Sequence, residues 1–339
     1  MTGHTGFKGS WLISLLDTLG AKVCGYSLEP ATSPNLFEII KGETIVEHHI
    51  GNILDYENLY SVMQSFKPEI VIHMAAQAIV LTSYKNPRET FDVNVMGTVN
   101  VLEAVRNTLS VKSFLNVTTD KVYLNNDCGR AFIEADQLCG FDPYSNSKSC
   151  SELVTYSYKK SLIHNVAIST ARAGNVIGGG DWAEYRLLAD CMRCFIKNEP
   201  VIIRNPHATR PFQYVLEPLY LYLTIAKKQF LDATFSDSYN IGPDMENCVT
   251  VKQIMDCFLK HQPTAEYIVK QDANAKHEAK RLELDNTKIK ETFGYKTVYS
   301  LDMAIKSIVD WTNAYVAKKD MKKFTYGQVT EFIKQFSKQ

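Results

Sequence analysis

The chain has 339 residues, 45% of them hydrophobic and 22% charged, the balance of an ordinary globular protein with a large core and about two domains. Lys plus Arg equals Asp plus Glu at 37 each, so no net basic field attracts nucleic acid or an anionic membrane surface. No apolar run of roughly 18 residues predicts a membrane span, and no leader pattern opens the sequence, so the expectation is a cytoplasmic protein.

In chain order, Thr2-Gly3-His4-Thr5-Gly6-Phe7-Lys8-Gly9-Ser10 reads as a glycine-rich turn that gives way to an amphipathic helix over 11–19, then a strand reaching Tyr26. Backbone N–H groups of such a turn can approach a pyrophosphate, and the helix dipole favours the anion. A turn of this kind follows a buried apolar strand, and here only Met1 precedes it. The expectation is that Met1 stands for the last residue of that first, central strand, or that the chain is a fragment. A missing central strand leaves two neighbours unpaired, which predicts poor folding or solubility for the chain as written.

Apolar runs at 45–46, 70–74, 113–118 and 167–172 alternate with helical stretches such as 59–66 and 89–108. Strands alternating with helices predict an α/β fold, a Rossmann-type doubly wound parallel sheet. From 173 the pattern changes. Gly178-Gly179-Gly180 is a turn, and 201–218 is rich in Arg, Asn and Pro. The division expected is a dinucleotide-binding domain over 1–172 and a smaller C-terminal substrate-binding domain over 173–339, partly interleaved with the first. The stretch 301–315 predicts a last helix.

Eight cysteines are scattered through the chain. Cys191 and Cys194 have no second pair to complete a zinc site and fall in a predicted helix, Leu187–Lys197, so no metal is expected. His48-His49 reads as structural.

Val117-Thr118-Thr119-Asp120-Lys121-Val122-Tyr123 follows a predicted strand, and ligands of parallel sheets bind at the carboxyl ends of strands. Thr119, Asp120 and Lys121 are therefore expected to face the same crevice as the glycine turn. Tyr144 and Lys148 lie four residues apart, on one helix face, where an ammonium favours the phenolate. A free phenol, with a pKa near ~10, is a poor base without such help.

The set T-G-x-x-G-F-x-G, His73-Met74-Ala75-Ala76-Gln77, Asn94-Val95-Met96-Gly97-Thr98, Thr119 and Tyr144-x-x-x-Lys148 resembles the extended short-chain dehydrogenase/reductase superfamily. Within it, the strings Gly3–Trp11, Ala173-Gly174-Asn175-Val176-Ile177-Gly178-Gly179-Gly180-Asp181-Trp182 and Arg204-Asn205-Pro206-His207-Ala208-Thr209-Arg210-Pro211 are similar to nucleotide-sugar 4,6-dehydratases, most closely those acting on CDP-glucose. The likeness runs from Thr2 to the last predicted helix.

The resemblance implies a nucleotide-sugar substrate, NAD as cofactor, and a homodimer or homotetramer. It implies catalytic roles for Thr119, Asp120, Lys121, Tyr144 and Lys148. Tyr144 would take the sugar 4-hydroxyl proton, Thr119 would bond that oxygen, and Lys148 would bind the nicotinamide ribose and hold the phenol's pKa down. Asp120 would protonate the departing 6-hydroxyl, and Lys121 would remove the C5 proton or, charged, stabilise the enolate. Gly3, Gly6, Phe7, Lys8 and Gly9 would line the cofactor pyrophosphate. Asn52 and Ile53 would lie near the adenine, where the family usually has Asp-Ile. Ala75, Ala76, Gln77 and Asn94 would complete the cofactor site. Asn175, Arg186, Arg204 and Arg210 would meet the substrate diphosphate, as guanidinium matches phosphate oxygens. The strand ending at Tyr26-Ser27 lacks the acidic residue that marks NAD, so NAD over NADP rests on the family and on a redox-neutral reaction. A 4-epimerase, and an NAD-binding protein without catalysis, are the alternatives.

Overall fold

The structure, a computed structural model, describes residues 1–126, 129–203, 205–244, 247–270 and 282–337. Its strands are β1 (Cys24–Ser27), β2 (Glu47–Ile50), β3 (Ile70–His73), β4 (Ser113–Thr119), β5 (Ala167–Ala173), β6 (Asn175–Ile177), β7 (Val201–Ile203), β8 (Thr209–Tyr214), β9 (Ser238–Ile241), β10 (Cys248–Thr250) and β11 (Tyr267–Val269). Its helices are α1 (Phe7–Thr18), α2 (Leu36–Ile39), α3 (Tyr56–Phe66), α4 (Val80–Lys85), α5 (Pro87–Phe91), α6 (Gly97–Arg106), α7 (Pro143–Ser161), α8 (Leu187–Lys197), α9 (Leu216–Leu231), α10 (Val251–His261), α11 (Thr287–Phe293), α12 (Leu301–Val316) and α13 (Met321–Phe336). No helix among the described residues is long and apolar enough to cross a membrane.

The main sheet is parallel. β2 pairs with β1 at one end, and β3, β4, β5 and β9 follow in that order at the other. Thr2 joins the two parts through parallel bridges to Tyr26 and His73. The N–H of Thr2 donates to Ile72, that of Gly3 to Tyr26, and that of Tyr26 to Met1. Met1–Gly3 thus runs between β1 and β3, and the glycine turn opens at the carboxyl end of the sheet. This is the expected doubly wound arrangement.

Two details differ from the sequence reading. The second strand is Glu47–Ile50, just after the apolar pair Ile45-Val46. It lies at the sheet edge with partly exposed residues, so burial imposes no apolar run on it. A helix beyond 315, α13, was not expected. Its apolar positions Met321, Val329 and Phe332 pack against α1 and α12, and Asp320 caps it by accepting from the Lys323 N–H at 3.0 Å.

β4 and β5 are buried along their whole length although they carry Ser, Asn, Thr and Arg. Asn116, Thr118, Thr170 and Arg172 are bonded to α7, which starts at Pro143 with Asp142 as its cap, while Ser113 and Ser169 are bonded to α9. The buried face of α7 carries Ser145, Ser147, Ser149 and Ser151. Such small side chains let the helix approach β4 closely. After β5 the chain leaves the main sheet to form β6–β8–β10 and β7–β11, then returns as β9 beside β5. The apolar side chains of both regions form one large cluster that includes Trp11, Leu115, Ala171, Tyr214, Ile241 and Trp311.

Candidate active site

The glycine turn is built for close approach. Gly3 has φ +77°, and a Cβ there would come within 2.8 Å of the Ala75 nitrogen. A Cβ on Gly9 would overlap the Gly3 carbonyl and His4. Gly6 precedes the 12-residue α1 with no side-chain cap, so the first N–H groups of the helix are open to an anion. Phe7 and Lys8 begin that helix. Ala75, Ala76 and Gln77 follow β3, where the N–H groups of Met74 and Ala75 both donate to the Thr2 hydroxyl at 3.1 Å. Asn94 sits in a π-helical turn over Asp92–Met96. It accepts from the Gln77 N–H at 2.9 Å and donates to the Ser147 hydroxyl at 2.9 Å, fixing the loop after β3 to α7. Asn52 follows β2, and its side chain accepts from the Leu54 N–H at 2.9 Å, while Ile53 is buried. Glycines that a Cβ would block, an open helix N-terminus and two polar loops at the carboxyl end of the sheet fit a dinucleotide.

Thr119, Asp120, Lys121, Tyr144 and Lys148 converge at the end of β4. The Thr119 hydroxyl donates to Asp120 Oδ1 at 2.9 Å, and Lys121 Nζ lies 3.2 Å from the same oxygen. Asp120 is fully buried, unlike a solvated turn, and its Oδ2 has no hydrogen-bond partner. Gly174 lies beside that oxygen, where a Cβ would come within 3.3 Å. Tyr144 is buried, and burial raises its pKa above the usual phenol value. The Lys121 charge, the Thr119 hydroxyl and Arg186 act in the opposite direction. Lys148 Nζ donates to the Val117 carbonyl at 2.9 Å, and burial lowers its pKa to about 8.

Lys8 was expected at a pyrophosphate. Its ammonium reaches the Tyr222 hydroxyl on α9 at 3.3 Å and feels the charges of Arg186, Lys148 and Asp120. Burial, ahead of these charges, lowers its pKa to about 7. Lys8 thus lies near Asp120 and Lys148 as well as on the glycine turn, which spacing alone did not reveal. Arg186 precedes α8, pairs with the buried Asp181 at 3.1 Å, and acts on Tyr144 and Lys8. Asn175 opens β6 and is half-buried. Arg210 is buried in β8, its guanidinium donating to the Thr209 carbonyl at 2.8 Å. Arg204 lies outside the described residues. Cys191 is buried on α8 against the Met255 sulfur, so it reads as core, and His48 pairs with His4 of the glycine turn at 2.6 Å.

A parallel Rossmann sheet, a glycine turn and a Tyr-x-x-x-Lys helix facing a strand-end threonine define an extended short-chain dehydrogenase/reductase. The chain belongs to the GDP-mannose 4,6 dehydratase family, whose profile matches residues 1–308. It is 42% identical to the CDP-glucose 4,6-dehydratase of Salmonella typhimurium over 98% of this chain and 95% of that protein. It is 29% identical to the dTDP-D-glucose 4,6-dehydratase of Dictyostelium discoideum over 76% of this chain and 61% of that one. Among solved structures, the UDP-glucose 4-epimerase of Thermotoga maritima superposes with a TM-score of 0.81 at 22% identity over 93% of this chain and 98% of that one. The dTDP-glucose 4,6-dehydratase of Bacillus anthracis, solved with NAD, gives 0.77 at 19% identity over 95% and 98%. The last two comparisons concern the fold.

Proposed function

We propose that this protein is an NAD-dependent nucleotide-sugar 4,6-dehydratase that converts CDP-glucose to CDP-4-keto-6-deoxyglucose and water. The observation that carries the reading is the turn after β4. It sets an acid–amine pair, Asp120 and Lys121, beside the oxidation residues Thr119 and Tyr144. A 4-epimerase has no elimination to perform and no use for such a pair. The 42% identity to a CDP-glucose 4,6-dehydratase supports the choice of nucleotide.

Bound NAD supplies the hydride acceptor for C4 and the store from which hydride returns to C6. Tyr144, as phenolate, takes the 4-hydroxyl proton, and Thr119 bonds that oxygen. Lys148 contributes an ammonium to the ribose side of the cofactor. The C4 ketone acidifies the C5 proton. The Asp120–Lys121 ion pair then provides both elimination groups by one internal step. Moving a single proton from the ammonium to the carboxylate gives a neutral amine and a carboxylic acid. The amine takes the C5 proton, the acid protonates the departing 6-hydroxyl, and water leaves with the ion pair restored. Once hydride is back on C6 the Lys121 ammonium returns a proton to C5, and the proton held by Tyr144 passes to the Lys121 amine to reset the site. The unpartnered Asp120 Oδ2 is the atom available to meet that hydroxyl. Asn175, Arg186 and Arg210, with Arg204, are assigned to the nucleotide sugar.

The division of labour follows: residues 1–172 mainly bind the cofactor, and the remainder mainly binds the nucleotide sugar. Two copies are proposed to pack through α5–α6 and α7, which expose Met96, Leu153 and Tyr156. The test is a panel of CDP-, dTDP-, UDP- and GDP-glucose and GDP-mannose with mass detection of water loss and alkali-induced absorbance of a 4-keto product. Dehydration of CDP-glucose above the others is expected. Epimerisation, or a preference for another nucleotide, overturns the reading.

A further inference from the structure

A buried carboxylate that this reaction scheme does not use lies one helical turn beyond Lys148. Glu152 Oε1 accepts from the Thr118 hydroxyl at 2.5 Å, and its Oε2 accepts from the Thr170 hydroxyl at 2.8 Å and from Arg172 at 2.9 Å. Glu152 and Arg172 are both buried. The other arm of the guanidinium donates to the Tyr123 hydroxyl at 2.9 Å and lies over that ring. Tyr123 in turn donates to Asn240 of β9 at 2.6 Å, and it ends the turn that carries Asp120 and Lys121. One ion pair therefore ties α7, β4, β5, β9 and the catalytic turn together.

A buried ion pair is a weak source of net stability, because desolvation of both charges offsets their attraction. Its field is the better reason for its presence. Glu152 follows Lys148 by four residues on α7, so the two side chains are neighbours. The other groups around Lys148 are the Val117 carbonyl from β4, His73 from β3 and Lys8 from α1. Among these described residues Glu152 is the one carboxylate.

We propose that Glu152 is a positioning residue for the oxidation step: it keeps Lys148 an ammonium and, through Arg172 and Tyr123, holds the Asp120–Lys121 turn against the catalytic helix. Burial pushes Lys148 down to about 8, and Glu152 opposes that push. The inference rests on the dehydratase reading for its kinetic readout, and on cofactor binding alone for a second.

The experiment follows the rate of reduced-nicotinamide formation with CDP-glucose, and separately NAD affinity, as functions of pH in the full chain. In Glu152→Gln the ammonium is lost at lower pH, so the alkaline limb of both profiles moves down by about one pH unit. Glu152→Asp keeps the charge and keeps the limb. A merely structural residue lowers the melting temperature without moving either profile. A Gln variant with the wild-type limb, or an Asp variant shifted as far as Gln, overturns the proposal. Glu152→Gln/Arg172→Gln removes both buried charges and serves where the single variant does not fold; if the Asp variant alone folds, the carboxylate serves folding and the proposal falls. A wild type that forms no reduced nicotinamide with any nucleotide sugar overturns the dehydratase reading, and the NAD profile still decides this one.

Discussion

Lys148 Nζ is bound to the Val117 carbonyl at 2.9 Å, while the charge that acts most on the Tyr144 phenol is Lys121, across the crevice. The Tyr-x-x-x-Lys spacing places both groups on one helix face, but the strand takes up the ammonium. The acidity of the phenol is therefore tied to Lys121 and Asp120, the pair proposed for elimination.

Lys121→Met removes that ammonium. Phenolate becomes harder to form, so the acid limb of C4 oxidation moves to higher pH. Oxidation survives and dehydration falls by ~10²–10⁴-fold, the usual weight of a proton-transfer group. Stopped-flow absorbance of reduced nicotinamide, paired with product mass, reads both effects. Full dehydration in this variant removes Lys121 from the mechanism.

Asp120→Asn also blocks elimination, but its effect on oxidation has the opposite sign. Asp120 raises the Tyr144 pKa, so an amide there moves the acid limb to lower pH. Opposite limb shifts in two variants that both fail to lose water distinguish this arrangement from general damage to the site.

Gly9→Ala forces a Cβ into the Gly3 carbonyl and His4, whereas Gly6→Ala brings its Cβ no nearer than 3.5 Å to Gly3. The first is expected to cost roughly 1–3 kcal/mol and to lose NAD binding. The second keeps its melting temperature and loses NAD affinity alone. Thermal melts with and without NAD separate them, and equal stability of the two variants counts against the close approach.

His73 is buried between the Thr2 and Thr98 hydroxyls, and burial lowers its pKa from 6.5 to about 3. The folded state thus binds this proton less readily than the unfolded chain. The stability it contributes is present above about 6.5 and is lost as pH falls toward about 3. His73→Gln should soften the fall in urea midpoint between neutral and acidic pH. His4, lowered to about 3 by burial and then by His48, adds a loss of the same sign that remains in the variant.

The sheet was legible because it rests on local chemistry, and the candidate site residues were placed together because they follow the ends of its strands. β4 and β5 announce themselves as apolar-rich runs, and Thr119, Asp120 and Lys121 follow β4 directly in sequence. What was not legible depends on distant packing. The contact of Lys8 with Tyr222, 214 residues later on α9, has no local signal. Glu152 and Arg172 look like surface charges on a helix and a strand, and only the pairing of β4, β5 and α7 buries them. The edge strand β2 gave no apolar signal because one side of it stays uncovered.

The return of β9 to the sheet has a consequence for how the molecule is made. β5 acquires its outer neighbour only when residues 238–241 arrive, after the whole excursion through β6, β7, β8 and α9. Until then a nascent N-terminal half presents an open strand edge, and Thr170 of β5 and Tyr123 after β4 lack the Ser238 and Asn240 side chains they will meet. A polypeptide released at residue 172 would carry nearly every residue assigned to NAD and still lack its sheet's last strand. Closure of the sheet that carries those residues is thus long-range and comes late in synthesis.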